Sequence, residues 1–429
     1  MDTGTPDTSA RITPYSTEAV DMIEVERLRR IIAAHSPASV LLQMPNEVLL
    51  EQLNVIAPGT DLRMTLAGLI LVGREEYLRT ELPGHEVTYL HLQSDTEYDR
   101  RFDSRRPLLA MLEQLHQAIV SLNRIFTLKA GLFHFEIPDF PEEVVREALL
   151  NALVHRDFTL LRPVFVRHYA DRIEISSPGG FYGGITTENI IGHEPVSRNR
   201  LLAEILQRLG LVERAGMGVR RMFHILLSYG KEPPSFEAGS DFVRVTIRSG
   251  RAAAGSGIDE PFAAFVARQQ QEGRELGLYE LLILNWLKRN REIDIGDARN
   301  LLQRSETDAR EVLNQMSVRG LLEPFGHKKG RVYRLSKAVY SRLRTSVSYP
   351  LFRRAEAQFA EAAIMDYLKS LGGQESERFV TNEIVRTLLR VSPDQATYLL
   401  GSMTKKGVLV LRGRGRGARY YATRQLSAF

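Results

Sequence analysis

Cysteine is absent from this 429-residue chain. That excludes disulfides and thiolate metal sites, and it leaves the redox compartment open. No apolar run approaches the roughly 20 residues that span a bilayer. The first residues, rich in Asp, Thr, Ser and Pro, show neither the charged-then-apolar pattern of a signal peptide nor an Arg-rich amphipathic character. Residues 1–17 are therefore expected to form a disordered tail, and the cytoplasm is the default compartment. No G-x-x-x-x-G-K-[ST] occurs: Gly230-Lys231 is followed by Glu232 and lacks the upstream glycine. A motor built on that phosphate loop is excluded. Tryptophan occurs once, as Trp286, in a helical stretch where a core role is expected.

What is present is ordinary globular composition, 43% hydrophobic and 25% charged, in a length that suits about three domains. The net charge of +5 hides an asymmetry. Residues 1–270 carry about 29 Lys/Arg against about 35 Asp/Glu, whereas residues 271–429 carry about 28 against about 17. A basic final third beside an acidic remainder points to a polyanion bound by one region only. The plainer alternative is a soluble basic domain.

One segment concentrates chemistry: Glu147-Ala-Leu-Leu-Asn151-Ala-Leu-Val-His155-Arg156-Asp157. At about 100° per residue, Glu147, Asn151 and His155 stack along one helix face. Val145, Leu149, Ala152 and Leu153 fall on the other, where they can enter a core. An acid able to take a proton, one turn from an amide oxygen able to ligate a hard cation, suits a nucleotide-metal site. A merely polar face is the bland reading. Phe140-Pro141-Glu142-Glu143 opens this helix, with proline at an early turn and acids at the positive end of the dipole.

The segments around it have a definite order. Upstream, Glu18–Ala34 and Asn46–Leu53 read as helices, Thr65–Val72 is a compact apolar run, Glu86–Leu92 alternates as a strand, and Arg106–Phe126 is helical. Residues 18–104 are expected to form a small separate α/β region. Downstream, Val164–Ala170 and Arg172–Ser176 alternate as an antiparallel hairpin. Then come Ser177-Pro178-Gly179-Gly180, a helix over Arg200–Leu209, Gly216-Met217-Gly218 before a helix starting near Val219, and a strand over Phe242–Ile247. Glycine lets a backbone approach phosphate closely, and amides at a helix start offer donors to an anion. Residues 249–257, rich in Ala, Gly and Ser, are the clearest linker signal, and 251–275 is assigned as linker.

The last 150 or so residues read as an imperfect duplication. Leu278–Asn290 and Ala357–Leu371 are long helices; Ile293–Leu302 and Val380–Leu389 are short ones; Ser305–Gly320 and Ser392–Gly407 are third helices ending at a glycine cap. Each leads into a basic hairpin. Three helices and a wing, twice, is the tandem winged-helix plan, over 276–345 and 346–429. Arg412-Gly-Arg414-Gly-Arg416-Gly-Ala-Arg419 is one wing tip, and Lys328, Lys329 and Arg331 occupy the other. Arginine suits phosphate or a narrow minor groove. Arg310 and Asn314 in one repeat, and Gln395, Tyr398 and Lys405 in the other, are candidate groove-facing residues. The alternative is a pair of protein-interaction modules.

The order of acid/amide helix, hairpin, glycine loop, helix and glycine loop resembles the GHKL ATPase fold of gyrase, Hsp90, histidine kinases and MutL. More closely, residues 105–250 resemble the divergent ATP-binding domain of proteins labelled RecG-like helicases or transcriptional regulators. That group usually places a Schlafen-type AlbA-like domain in front, and the front half is missing from this reading. The resemblance rests on Glu147–Asp157, on Ser177-Pro-Gly-Gly and on Glu213-Arg-Ala-Gly-Met-Gly-Val-Arg-Arg-Met222. It implies an α+β multidomain chain: a GHKL-like α/β sandwich with two winged helices. By position it makes Glu147 the acid that polarises water and Asn151 the magnesium ligand. Gly179 and Gly180 would lie near the base and ribose, Gly216 and Gly218 near the phosphates, with His155, Asp157 and Ser177 lining the pocket and Arg198 and Arg220 nearby. ATP and Mg2+ are the implied cofactors; DNA, nucleotide and a second copy of the chain are the expected partners. One departure stands out: Ser176-Ser177-Pro178 replaces the aspartate that meets the adenine amino group, so a charge-assisted bond is lost. The leading reading is a nucleotide-responsive DNA-binding regulator. An ATPase of DNA repair or defence and a nucleotide-free scaffold compete with it.

Overall fold

The structure, a computed structural model, describes residues 7–130, 133–212, 216–250, 257–326, 331–343, 360–371, 378–389, 393–413 and 418–423. The chain divides into two compact units, Met1–Leu278 and Tyr279–Phe429.

The first unit is built on one six-stranded mixed sheet of order β2-β1-β5-β6-β8-β7. Its strands are β1 (Val87–Leu92), β2 (Tyr98–Ser104), β5 (Val164–Tyr169), β6 (Arg172–Pro178), β7 (Ser235–Ala238) and β8 (Phe242–Arg248). A separate hairpin pairs β3 (Ile125–Ala130) with β4 (Phe133–Pro138). Alternation explains the layering. In β5, Val164, Val166 and His168 are buried, and in β6 Ile173, Ile175 and Ser177 are. Helices cover that face: α5 (Leu108–Val120), α6 (Glu142–Val154), α7 (Arg200–Arg208) and α8 (Gly218–Ser228). The result is an α/β sandwich. As the helical spacing predicts, α6 buries Val145, Leu149, Ala152 and Leu153.

Residues 18–104 are not a separate region. Helices α1 (Met22–His35), α2 (Asn46–Gln52), α3 (Leu66–Val72) and α4 (Glu75–Glu81) share one continuous core with α5 to α8. Strand β1 runs parallel to β5 in full register, from Val87 opposite Val164 to Leu92 opposite Tyr169. The apolar run after Thr65 is wholly buried as α3, capped by the Thr65 hydroxyl on the Gly68 amide. Nor are residues 7–17 a tail. Asp7 Oδ2 accepts from the Leu201 amide at 2.8 Å, and Ser9 Oγ accepts from Leu202 at 3.2 Å. These are first-turn amides of α7 that have no partner within their helix. The helix expected over Arg106–Phe126 stops at Val120, and Ile125 and Phe126 begin β3 instead. The expected linker contains α9 (Glu260–Gln271), started by Asp259 accepting from the Phe262 amide with proline in the first turn. Phe262, Ala263 and Phe265 of α9 are buried, and Ala263 packs with Leu128 and Ile137 of the β3–β4 hairpin.

The second unit holds two similar arrangements. In the first, α10 (Leu278–Arg289), α11 (Ile295–Leu302) and α12 (Glu306–Val318) precede a hairpin of β9 (Leu322–Phe325) and β10 (Val332–Leu335), followed by α13 (Lys337–Leu343). Trp286 is only half-buried on α10. In the second, α14 (360–370), α15 (Asn382–Leu389) and α16 (Pro393–Lys405) precede β11 (Leu409–Arg412) and β12 (Arg419–Ala422). Both add a third short strand by an isolated bridge, Ile293 to Tyr333 and Val380 to Tyr420. Matching these bridges aligns the two without a gap from Ile293/Val380 to Leu335/Ala422. The second is held by its own cluster of Ile364, Leu368, Val380, Val385, Ala396, Leu400, Met403 and Leu409.

Candidate functional site

A cavity of about 370 Å³ opens between α6, α7, the start of α8 and the segment joining β6 to α7, a size that suits a small-molecule ligand. The polar stripe read from the sequence faces it: Glu147, Asn151 and His155 all line the wall. Asn151 Nδ2 donates to Glu147 Oε1 at 3.0 Å. The amide's NH2 end is thereby committed to the acid, and its oxygen is left for a cation. Among the described residues no cluster of three or more His, Asp or Glu side chains could hold a metal. A cation here would be shared between Asn151 and oxygens of a bound ligand.

Glu147 has a second neighbour that the sequence did not foretell. A Cβ placed on Gly218 would overlap its carboxylate. The acid thus lies against the first residue of α8, where free amides and the positive end of the helix favour negative charge. The second glycine loop and the acid/amide helix converge on one point. Gly216 is in the left-handed region at φ +60°, with the Pro195 ring where a Cβ would stand. Arg156 does not pair with Glu147. Its guanidinium turns away and donates to the carbonyls of Gly84 and Arg162 at 2.6 and 2.8 Å. Burial pushes its pKa down to about 10, opposed by Asp157, so it stays charged at neutral pH.

The first glycine loop is held by an ion pair. Arg198 donates to Asp157 Oδ2 and to the Gly180 carbonyl, both at 2.8 Å, and lies over the Tyr182 ring at 5.1 Å. Arg220 donates to the Ile191 carbonyl at 2.7 Å, tying α8 to the same segment. These two arginines, named from the sequence only as neighbours, tie the ends of the covering segment together through Arg198 and its middle to α8 through Arg220. His155 faces the open cavity; desolvation by the surrounding wall, and then the Arg198 charge, lower its pKa. Its open side limits the size of that effect. Ser177, one of the two serines where the resemblance would place an aspartate, is buried and donates to the Ala152 carbonyl at 2.7 Å. Its hydroxyl therefore stitches β6 to α6 and can offer a ligand only a lone pair.

Sequence reasoning missed Asn199 and the apolar cover. Asn199 is fully buried and donates to the carbonyls of Val154 and Arg156 at 2.8 and 2.9 Å, closing the end of α6. Ile185, Ile190, Pro195 and Val196 line the cavity; their only signal is a scatter of apolar residues between two glycine segments. The residues assigned to nucleic acid belong to the second unit, and none of them is among this cavity's lining residues. Lys328, Lys329, Arg414 and Arg416 fall outside the described residues, whereas Arg310, Asn314, Arg331, Lys405, Arg412 and Arg419 are exposed.

Residues 162–247 match a family model described as "Putative ATP-dependent DNA helicase recG C-terminal", an ATPase-type domain. The match spans β5 to β8 and both glycine loops and begins after α6. Residues 2–88 match a domain of unknown function, DUF8451. No curated protein matches the chain. Among solved structures, the DIP2311 protein from Corynebacterium diphtheriae superposes with a TM-score of 0.64 at 23% identity. The alignment covers 80% of this chain and 66% of that one, and at that identity it speaks to fold alone. The family match makes ATP binding the expected activity of the first unit. Among the described residues no helix is long and apolar enough to cross a membrane.

Proposed function

We propose that the chain is a nucleotide-responsive DNA-binding protein, a transcriptional regulator in which an ATP-type pocket acts on two winged-helix repeats. The observation that carries the nucleotide half is the meeting of Glu147 and Asn151 with Gly218 at the start of α8, inside a segment matching an ATPase-type family. The phosphates would approach the α8 amides, Asn151 would share a magnesium ion with them, and the base would lie toward Gly179 and Gly180. Magnesium would supply charge neutralisation at the phosphates; Asn151 would orient it, and Glu147 would hold a proton acceptor beside it. The DNA half rests on the basic second unit and its two three-helix-plus-hairpin arrangements. The word helicase in the family description is not carried over, because the sequence has no motor phosphate loop.

Calorimetry with a non-hydrolysable ATP analogue and magnesium tests the pocket directly. At a hundredfold excess over Kd, binding adds about 2.7 kcal/mol to stability and raises Tm accordingly. No heat and no shift with ATP, ADP or GTP returns the molecule to the scaffold reading. A second reading, an ATPase of DNA repair or defence, is favoured by the Glu147–Asn151 hydrogen bond. It requires turnover that Glu147→Ala abolishes.

A further inference from the structure

The two repeats of the second unit share a backbone plan but carry opposite chemistry where a groove-reading helix would meet its target. Aligned through Tyr333 and Tyr420, α12 and α16 correspond residue by residue. On α16 the outward stripe is Tyr398, Gly401 and Lys405, opposite the buried Ala396, Leu400 and Met403. Tyr398 is 77% exposed. Gly401 has nothing within 4 Å of a Cβ built on it, so packing does not require glycine. Glycine there weakens the helix and leaves a flat surface beside the tyrosine.

On α12 the matching residues are Glu311, Asn314 and Val318. Glu306, Asp308 and Glu311 give that helix a negative surface, and its only arginine, Arg310, pairs with Glu306 at 2.6 Å. Asn314 Oδ1 accepts from the Tyr333 hydroxyl at 3.0 Å. An acidic helix, whose Asn314 oxygen is already taken by Tyr333, would be repelled by phosphates on either side of a groove.

The hairpins differ in the same direction. Arg412 and Arg419 sit directly opposite one another in the second, a like-charge pairing that destabilises a hairpin. Each is held over an aromatic ring, Arg412 over Tyr421 at 4.9 Å and Arg419 over Phe379 at 4.3 Å. Neither has an acidic partner among the described residues. The same register in the first hairpin holds Phe325 and Val332, and its one cross-strand charged pair, Glu323 and Arg334, is of opposite sign.

We propose that groove contact with DNA belongs to the second repeat alone, through Tyr398, Lys405, Arg412 and Arg419, and that α12 of the first repeat makes none. This rests on the DNA-binding reading above. Arginine pairs held on aromatic rings suit phosphate, and an exposed tyrosine on a flat helix face suits contact with base edges.

The test uses the full chain and a pool of DNA duplexes with a randomised core, with fluorescence anisotropy read across a salt series and Tm measured for each variant. Tyr398→Ala weakens binding by about tenfold with an unchanged Tm. Arg412→Gln with Arg419→Gln lowers the salt slope by about two. Arg310→Ala changes affinity by less than about twofold, and Glu311→Gln leaves it equal or tighter. A tenfold loss in Arg310→Ala, or an unchanged affinity in Tyr398→Ala, overturns the asymmetry while leaving DNA binding in place. Failure of the wild-type chain to bind any duplex at low salt overturns the DNA reading itself, and the asymmetry with it.

Discussion

Gly179 and Gly180 of the first glycine loop and Gly218 of the second are glycine for opposite reasons. In the first loop, Gly179 stands at φ +95°, and a Cβ there would lie 2.7 Å from the Asp157 Cβ. Gly180 would place its Cβ 2.6 Å from the Gly239 carbonyl oxygen, a backbone atom that no rotamer change can move. In the second loop, Gly218 belongs to a helix with ordinary backbone geometry. What a Cβ would meet there is the carboxylate of Glu147, the far end of a flexible side chain. The first loop's glycines, like Gly216 of the second, are demanded by the fold; Gly218 alone is demanded by one functional group. A sequence motif presents both as walls of a nucleotide pocket, but only Gly218 of the second is tied to the acid it is meant to serve.

That contrast sets the order of expected effects. Gly179→Ala forces a left-handed alanine into a filled space and should cost about 2–4 kcal/mol, read by urea unfolding. A loss below about 0.5 kcal/mol would place both loops in one class. Arg198→Ala removes the link from the covering segment to Asp157 and Gly180. With both partners about four-fifths buried, the expected loss is about 1–3 kcal/mol. Arg198→Lys should recover only part of it, because one ammonium cannot serve both acceptors with the planar fork that arginine presents. Gly218→Ala should cost about 1–2 kcal/mol, and here the two loops part. Adding Glu147→Ala should remove the penalty, leaving the double variant within about 0.5 kcal/mol of Glu147→Ala alone. Strict additivity would mean that Gly218 answers to backbone, as Gly180 does.

Much of the first unit was legible because its signals are local. The α6 faces, the β5–β6 alternation and both glycine segments follow from spacing, and the structure puts the predicted Glu147, Asn151 and His155 on one cavity wall. The α9 start was equally local: Asp259-Glu-Pro-Phe262 is a capped helix opening that the Ala/Gly/Ser stretch before it overshadowed. What could not be read is tertiary exchange. Asp7 and Ser9 look like tail residues because their partners, the Leu201 and Leu202 amides, are nearly half the chain away. The same holds for β1, whose parallel pairing with β5 makes residues 18–104 part of the pocket's sheet. Periodicity shows which face of a strand is apolar, but it does not show which strand lies beside it. Asn199 belongs to the same class, since a single buried amide closing another helix leaves no pattern.

Ser177 gives the smallest effect and the sharpest use of the comparison. It stands near the end of β6, just before the first loop's glycines, and is one of the two serines where the resemblance would have an aspartate read adenine, yet its hydroxyl donates to the Ala152 carbonyl. That carbonyl is among the last four of α6, which lack partners within the helix. Asn199 serves the Val154 carbonyl beside it, so two side chains from separate elements finish one helix end. On this geometry Ser177→Ala should cost about 1 kcal/mol by stranding a buried acceptor, and the Tm shift given by ATP relative to GTP should not change. An altered ATP-to-GTP preference at unchanged stability would assign Ser177 to the base instead. The first loop would then carry a recognition residue after all, and its glycines would answer to a ligand as well as to the fold.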